Sequence, residues 1–166
     1  MVLRVTLTII LFSIAIISLV GSALYTQLNQ GIYKEKTSAS ISDAQSIARA
    51  TQIQLMFAQY QNRSQVTKVF TSILADPTID GTTSGRDIAI FSPDSMPATL
   101  RFNAASNAFM PTSIPESFRA KNRLATSTQY TLATLYYQTS PSKNGLIVGH
   151  NLALEKGGSY EFYVVY

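Results

Sequence analysis

The sequence predicts an α+β fold, in which a long N-terminal helix and shorter helices pack on a small antiparallel sheet. No proline lies between residues 25 and 61, and small or apolar residues recur there at steps of three and four, which is the spacing of one helix face. Three short runs rich in β-branched and aromatic residues follow near the C-terminal end, separated by glycine, proline and asparagine, as in strands joined by turns. Helices that cover one face of such a sheet bury the apolar side of each element.

The composition excludes several kinds of site. Charged residues make up 13% of the chain, about half the roughly 25% typical of soluble domains, and none lies between Arg4 and Lys34. A net charge of +4 without clustered lysine and arginine is too dilute for a nucleic-acid-binding surface. The sequence has no cysteine, which excludes disulfides, thiol catalysis and cysteine-ligated metals, and its single histidine argues against a histidine-ligated metal centre. We therefore expect no nucleic acid, metal or cofactor.

Residues 5–24 form an uninterrupted apolar stretch that predicts a membrane-spanning helix. These 20 residues carry no charge, and at about 1.5 Å per residue they extend about 30 Å, the thickness of the hydrocarbon core of a bilayer. Their hydroxyl groups can bond to carbonyl groups of the same helix, so they are compatible with insertion. We expect a cytoplasmic tail at residues 1–4, a transmembrane helix at 5–25, and residues 34–166 outside the cytoplasm. The alternative is a cleaved secretory signal, with Arg4 in its basic segment and small residues at 21–23 as the cleavage site.

The helix is predicted to continue beyond the membrane as a juxtamembrane stalk over residues 26–62. One of its faces is defined by six residues spaced three or four apart: Ile41, Ala44, Ala48, Thr51, Leu55 and Ala58. This face is smaller and more polar than the Ile, Val and Leu pattern of a two-stranded coiled coil. Two interpretations stay open. The helix is either amphipathic and lies on its own domain, or this face is the signalling seam of a dimeric stalk that carries motion between the membrane and the outer domain.

The outer domain is assigned to residues 63–166. A second helix is predicted at 66–74 from its apolar spacing, and a third at 115–120, which begins with a proline followed by an acid. Strands are predicted at 87–91, near 99–102, and at 130–138, 146–154 and 160–166. Turns join the last three strands at 141–145, where Asn144 and Gly145 form a typical hairpin pair, and at 155–158.

No residue pattern in the chain indicates catalysis. The P-loop, the dinucleotide fingerprint, the nucleophile elbow and the HExxH motif are all absent, and neither a cysteine nor a second histidine accompanies His150. We interpret His150, in the predicted strand 146–154, as a hydrogen-bonded structural residue. One basic group remains, formed by Arg101, Arg119, Lys121 and Arg123. It can contact an anionic ligand or lipid headgroups, or it can be the solvated end of a helix whose dipole it complements.

The predicted order of elements resembles that of PAS-like or Cache-like sensor domains, in which a long N-terminal helix backs an antiparallel sheet. The start RVTLTIILFSIAIISLVGSALYTQL with the following SDAQSIARA, and the closing STQYTLATLYYQ, GLIVGHNLAL and GGSYEFYVVY, resemble the N-terminal part of actinobacterial MtrB-type sensor histidine kinases. This resemblance implies a homodimer whose extracytoplasmic sensor domain, at residues 63–166, controls a cytoplasmic kinase and its response regulator. Envelope or osmotic signals would be its input. The kinase domains would follow a second span, before which we expect this chain to stop, so no catalytic residue is carried onto it.

The sequence therefore favours a membrane-anchored, non-enzymatic sensor module of a two-component system over two alternatives. An exported, envelope-anchored structural protein of the pilin kind also has an apolar N-terminal helix followed by a small sheet domain. Such proteins usually carry an acid within the apolar helix, whereas the first acid here is Glu35. A secreted enzyme, released by signal cleavage, would need a catalytic constellation that the sequence does not contain.

Overall fold

The structure is a computed structural model that describes residues 2–57, 63–75, 85–106, 108–154 and 158–166, with side chains described from residue 12 onwards except at residue 63. The chain divides into two compact units, residues 1–39 and 40–166. The α+β prediction is confirmed, because a long N-terminal helix precedes a small antiparallel sheet. Ala58 and most of the predicted turn at 155–158 lie outside the described residues.

The first unit is the N-terminal part of helix α1 (Val2–Phe57). Between Phe12 and Phe57 this helix is long and apolar enough to cross a membrane, and none of its most apolar window is buried. Large side chains such as those of Phe12, Ile17 and Leu19 are 69–74% exposed. A helix in the core of a soluble protein buries such side chains, whereas a lipid-facing helix or a signal sequence does not. Helix α1 is therefore a candidate membrane span near the N-terminus.

The second unit contains the rest of α1, helices α2 (Arg63–Leu74) and α3 (Glu116–Leu124), a 3-10 turn at Pro111–Ser113, and the strands. The strands are β1 (Asp87–Phe91), β2 (Asn103–Ala105), β3 (Gln129–Leu135), β4 (Lys143–Ala153) and β5 (Ser159–Val165). In the described part of the chain they form one antiparallel sheet in the order β2-β1-β5-β4-β3. The last three strands are the predicted meander, and β1 pairs with β5 across its whole length.

Both faces of the sheet are covered. The C-terminal part of α1 and helix α2 pack on one face, in a core that includes Phe70, Ile90, Val148 and Phe162. Phe118 of α3 packs on the other face with residues such as Ile147 and Tyr163. Coverage on one face only was the prediction, and it is wrong for α3. Burial on both sides explains why β1 and β5 are almost continuously apolar and do not alternate.

Several predicted boundaries are also wrong. Strand β2 lies at Asn103–Ala105, after the predicted 99–102, and β3 ends at Leu135, before the predicted 138. Helix α3 begins at Glu116, next to the predicted start at 115, and continues to Leu124. Asn144 and Gly145 lie within β4 and pair with β3, so they do not form the turn. A glycine is required at position 145 because neighbouring atoms approach its Cα closely. A Cβ there would collide with the side chain of Leu135 and the carbonyl oxygen of Tyr166.

Candidate functional site: a polar groove beside helix α1

The small-residue face of α1 is buried against the sheet. Ala44, Ala48 and Leu55 are at most 5% exposed and belong to the core that α1 shares with the sheet, and Thr51 is 1% exposed. Ile41 is partly buried beside them, and Ala58 lies outside the described residues. The interpretation in which the helix lies on its own domain therefore holds for residues 41–55.

The alanine side chains of this face bury little apolar surface. Those at 44 and 48 therefore each stabilise the contact less than the Leu or Ile of a tightly packed helix would. Thr51 adds a buried hydroxyl oxygen that has no hydrogen-bond partner among the described residues, which opposes burial. Polar bonds at the margins of this contact add to its apolar packing.

Asp43 makes the first of those polar bonds. Its Oδ2 accepts a hydrogen bond from Arg86, with which it forms an ion pair, and a second bond of 2.7 Å from the hydroxyl of Tyr166. Burial alone would raise the pKa of Asp43, but the hydrogen bonds from Arg86 and Tyr166 outweigh burial and lower it. The same bond and burial raise the pKa of Tyr166. Asp43 is therefore ionised at neutral pH, and it joins α1 to the segment before β1 and to the residue after β5.

Two glutamines make the remaining polar bonds. Gln52 bonds twice to the backbone of Ala153: its Nε2 donates to the carbonyl oxygen at 2.9 Å and its Oε1 accepts from the amide at 2.9 Å. In this way a side chain of α1 replaces a neighbouring strand beyond the start of β3, where β4 has an open edge. Nε2 of Gln45 donates to Oγ1 of Thr128 at 3.0 Å. Together these bonds fix the position of α1 along the sheet.

The predicted basic group does not form a common surface. Arg119 and Arg123 both bond to Glu161 of β5, Arg119 at 3.0 and 3.1 Å and Arg123 at 2.8 Å. Arg101 donates to the backbone carbonyl oxygens of Met96 and Asp94, and Lys121 is exposed. The two helix arginines therefore have an anionic partner within the chain, which neither sequence interpretation included.

Glu161 is a buried carboxylate, with 2% of its surface exposed. Burial would raise its pKa, but hydrogen bonds from Arg119, Arg123 and the hydroxyl of Tyr163 lower it. Arg119 also stacks over the ring of Phe91, with 4.7 Å from Cζ to the ring centroid. This arrangement anchors α3 to the centre of the sheet, which is a structural role.

A groove of about 660 Å³ lies between α1, the segment after α3 and the open edge of β4. Its α1 wall carries Gln45, Ala48, Arg49 and Gln52, and residues 125–128 and 150–152 form the rest. Asn151 holds the segment after α3 in place, because its amide donates to the carbonyl oxygens of Asn122 and Ala125 at 2.6 and 3.1 Å. The volume of the groove is within the range of small-molecule sites, which is about 300–1,000 Å³.

His150 lies in β4 at the wall of this groove. Its Nδ1 is 3.5 Å from Oγ1 of Thr128, and its Nε2 is buried without a hydrogen-bond partner among the described residues. Burial and the positive charge of Arg49 lower the pKa of His150, so the imidazole is neutral at pH 7. The structural interpretation accounts for Nδ1 but not for Nε2.

The groove carries groups suited to binding a polar ligand. Its described lining holds one charged residue, Arg49, together with amide, hydroxyl and imidazole groups, and it holds no carboxylate. The described residues contain no group of three side chains suited to hold a metal ion. The sequence analysis missed the groove, although the spacing of Gln45, Arg49 and Gln52 places three polar side chains on one face of α1 beside the small residues. No protein-family model matches this chain, and no curated protein matches it.

Proposed function

We propose that this chain is the membrane-anchored sensor module of a two-component histidine kinase. In this proposal α1 crosses the cell membrane once, residues 34–166 lie outside the cytoplasm, and the module works as a homodimer. The cytoplasmic kinase core and its response regulator are partners that lie beyond this chain. The chain itself performs no chemistry.

The observation that carries the proposal is that one helix has two different kinds of surface. Helix α1 holds an apolar segment suited to a bilayer and, in the same run of residues Val2–Phe57, a face buried in the core of an α+β domain. A change in how the domain packs on residues 41–55 is then a change in the position of a helix that enters the membrane. Packed interfaces of this kind switch between discrete arrangements instead of deforming continuously.

The polar bonds of α1 support this mechanism. Asp43 bonds to Tyr166, so the start of the domain and the end of β5 are joined directly. In a protein whose second span follows the sheet, the segment that leads to that span would begin beside α1 at this contact. A stimulus that alters the packing of α1 would thus alter the relation between the two helices, and the free energy needed is a few kcal/mol for a two-state element.

Two experiments test the proposal. In cells, a phosphatase reporter active only outside the cytoplasm, fused after Tyr166, is expected to be active and to sediment with washed membranes. Recovery of the intact chain from the soluble extract would contradict the anchor, and loss of the N-terminal segment on a gel would identify a cleaved signal. Separately, the reading frame beyond codon 166 is expected to encode a second apolar span and a kinase core. A stop codon there would overturn the kinase assignment.

A further inference from the structure

The groove beside α1 contains a cation, Arg49, that has no partner of opposite charge among the described residues. Arg49 makes no ion pair with the part of the chain that the structure describes, and the described lining offers no carboxylate. This differs from Arg119 and Arg123, each of which pairs with both Glu161 and Glu116. The described lining of the groove therefore carries a net positive charge.

Other polar groups of the groove are also available. Gln45 donates one amide hydrogen to Thr128, which leaves its second amide hydrogen and its carbonyl oxygen. Thr126 and Ser127 are exposed in the same wall. Gln52 is different, because both ends of its amide bond to Ala153. The amide of Gln45 and the two hydroxyl groups thus offer hydrogen-bond donors near Arg49.

His150 lines this groove and has a ring nitrogen that is unpaired in the described part of the chain. Thr128 accepts a hydrogen bond from Gln45, and its own hydroxyl hydrogen can point to Nδ1 of His150, 3.5 Å away. In the tautomer that accepts at Nδ1, the proton is on Nε2 and makes it a donor. Nε2 is buried and unpaired among the described residues, an arrangement that costs free energy until a partner is found. After a small rotation of the ring toward the groove, Nε2 could donate to an acceptor atom of a ligand bound there.

We infer that the groove is the ligand site of the sensor and takes a small monocarboxylate with a hydroxylated or otherwise polar body, held by its carboxylate on Arg49. A guanidinium fork matches a carboxylate with two parallel bonds. One cation suits one negative charge, so a phosphate dianion fits less well. A bound amino acid would find no carboxylate in the described lining to pair with its ammonium group. The inference rests on the proposed function for its biological meaning, but the binding itself does not.

The consequence for signalling is direct. Four residues of the groove wall belong to α1, and two of them, Ala48 and Gln52, lie on or beside the face that packs against the sheet. A ligand that bonds to Arg49 and to the wall at 125–128 bridges the helix and the domain. Binding therefore favours one position of α1 over another by its differential contacts.

The test uses the whole chain in detergent micelles, with its single histidine isotopically labelled. Because His150 is the only histidine, its ring resonances report on the groove alone. Sodium lactate and sodium gluconate are the probes; glucose, alanine and inorganic phosphate are the comparison compounds. We expect a saturable shift of the His150 ring with at least one carboxylate, no saturable shift with glucose, and weaker binding of alanine and phosphate. The ring nitrogens should also show the proton on Nε2.

The matched variants are Arg49→Gln and Lys68→Gln, which remove one positive charge each from exposed helix positions. Arg49→Gln should weaken carboxylate binding about ten- to a hundredfold, the value of one charge-assisted pair. Lys68→Gln, on α2, should leave it unchanged. Absence of saturable binding by both carboxylates, equal binding by Arg49→Gln, or equal binding of phosphate would overturn the inference. A stop codon after residue 166 would remove the kinase but not the binding, so the two failures are distinguishable.

Discussion

The hydroxyl of Tyr166 donates a 2.7 Å hydrogen bond to Oδ2 of Asp43, across 123 positions of the chain. Arg86 completes this contact as the ion-pair partner of the same oxygen. Three segments meet there: the middle of α1, the start of β1 and the residue after β5. Because this contact stands between the helix that is proposed to enter the membrane and the end of the sheet, its variants should change both stability and output.

Tyr166→Phe removes this hydrogen bond and keeps the ring. The Asp43 side chain is 40% exposed, so we expect a loss of about 1 kcal/mol in the free energy of unfolding at pH 7. The lowered pKa of Asp43 stabilises the folded chain above the unfolded value of about 3.9 and ceases to do so as pH falls through the lowered pKa. The loss should therefore shrink at pH 3, as measured by urea unfolding of the full chain in detergent.

The control is Tyr136→Phe. This tyrosine is 48% exposed, and its hydroxyl makes no hydrogen bond with the described residues. The substitution should leave the unfolding midpoint within experimental error at both pH values. Equal effects of the two substitutions would show that the Tyr166 bond contributes nothing to stability.

Glu161→Gln tests the buried ion pairs. The substitution leaves Arg119 and Arg123 beside a neutral amide, and breaking a buried pair in this way typically costs about 3–5 kcal/mol. Since both arginines are partly exposed, with 25% and 38% of their side chains accessible, we expect the lower end of this range. The folded-state pKa of Glu161 is lowered, so its contribution is present above the unfolded value of about 4.3 and is lost as pH falls through the lowered pKa.

The free energy of unfolding of the variant should accordingly lack the part of the decrease below about pH 4 that protonation of Glu161 causes in the wild type. Unfolding curves recorded between pH 3 and pH 7 measure this. Glu116→Gln is the matched control, because Glu116 bonds to the same two arginines but its side chain is 66% exposed. Its effect should stay below about 1 kcal/mol. A Glu161 variant no less stable than this control would remove the anchoring role of the carboxylate.

Ala48→Leu tests the packing of α1 on the sheet. Ala48 is 5% exposed and lies in the core that α1 shares with the sheet, where it also lines the groove, so the part of a leucine side chain that does not enter the groove must displace a neighbour. Overpacking of this kind costs about 1–3 kcal/mol. We expect a lower unfolding midpoint and, in the full-length sensor, an altered basal output, because the helix is forced into another position.

Ala50→Leu is the control for this substitution, since Ala50 lies on the exposed side of the same helix. It should change neither stability by more than about 0.5 kcal/mol nor output. If Ala44→Leu and Ala48→Leu both left the output of the full-length protein unaltered, the signalling role of this face would be disproved, although its structural burial would stand.

Local patterns predicted the parts of the fold that local interactions decide. The helical spacing from Ile41 to Leu55 identified the face of α1 that is buried, and the meander of the last three strands followed from β-branched runs between turn residues. The same reasoning failed at Gly145. There the glycine permits the approach of Leu135 and of the Tyr166 carbonyl from neighbouring strands, and no local pattern contains that information.

The contacts in and near the candidate site could not be predicted from local patterns either, because they join residues that are far apart in the sequence. Arg119 and Glu161 are 42 positions apart, and they meet only because α3 crosses β5 on the face opposite α1. The position of Arg119 in the sequence predicts its location near a helix end, but it does not predict that Glu161 is its partner. The groove likewise requires Arg49, Thr128 and His150, from three separate segments, to adjoin the open edge of β4. Such contacts depend on strand register and on which face each helix covers.

Gly149→Ala should lower stability because a side chain of α3 approaches β4 closely at this residue. A Cβ at position 149 would lie 2.7 Å from Oδ1 of Asn122, a side chain that is 1% exposed and cannot move aside freely. The resulting strain of about 1–3 kcal/mol exceeds the roughly 0.4–1 kcal/mol that alanine gains by restricting the unfolded chain. In Gly31→Ala, the control, the new methyl group meets no atom within 4 Å, so the helix should be unchanged or stabilised by up to about 1 kcal/mol. The thermal unfolding midpoint, followed by circular dichroism, should therefore fall for Gly149→Ala and stay the same or rise for Gly31→Ala. A Gly149 variant as stable as the wild type would mean that α3 does not press on the sheet at this point.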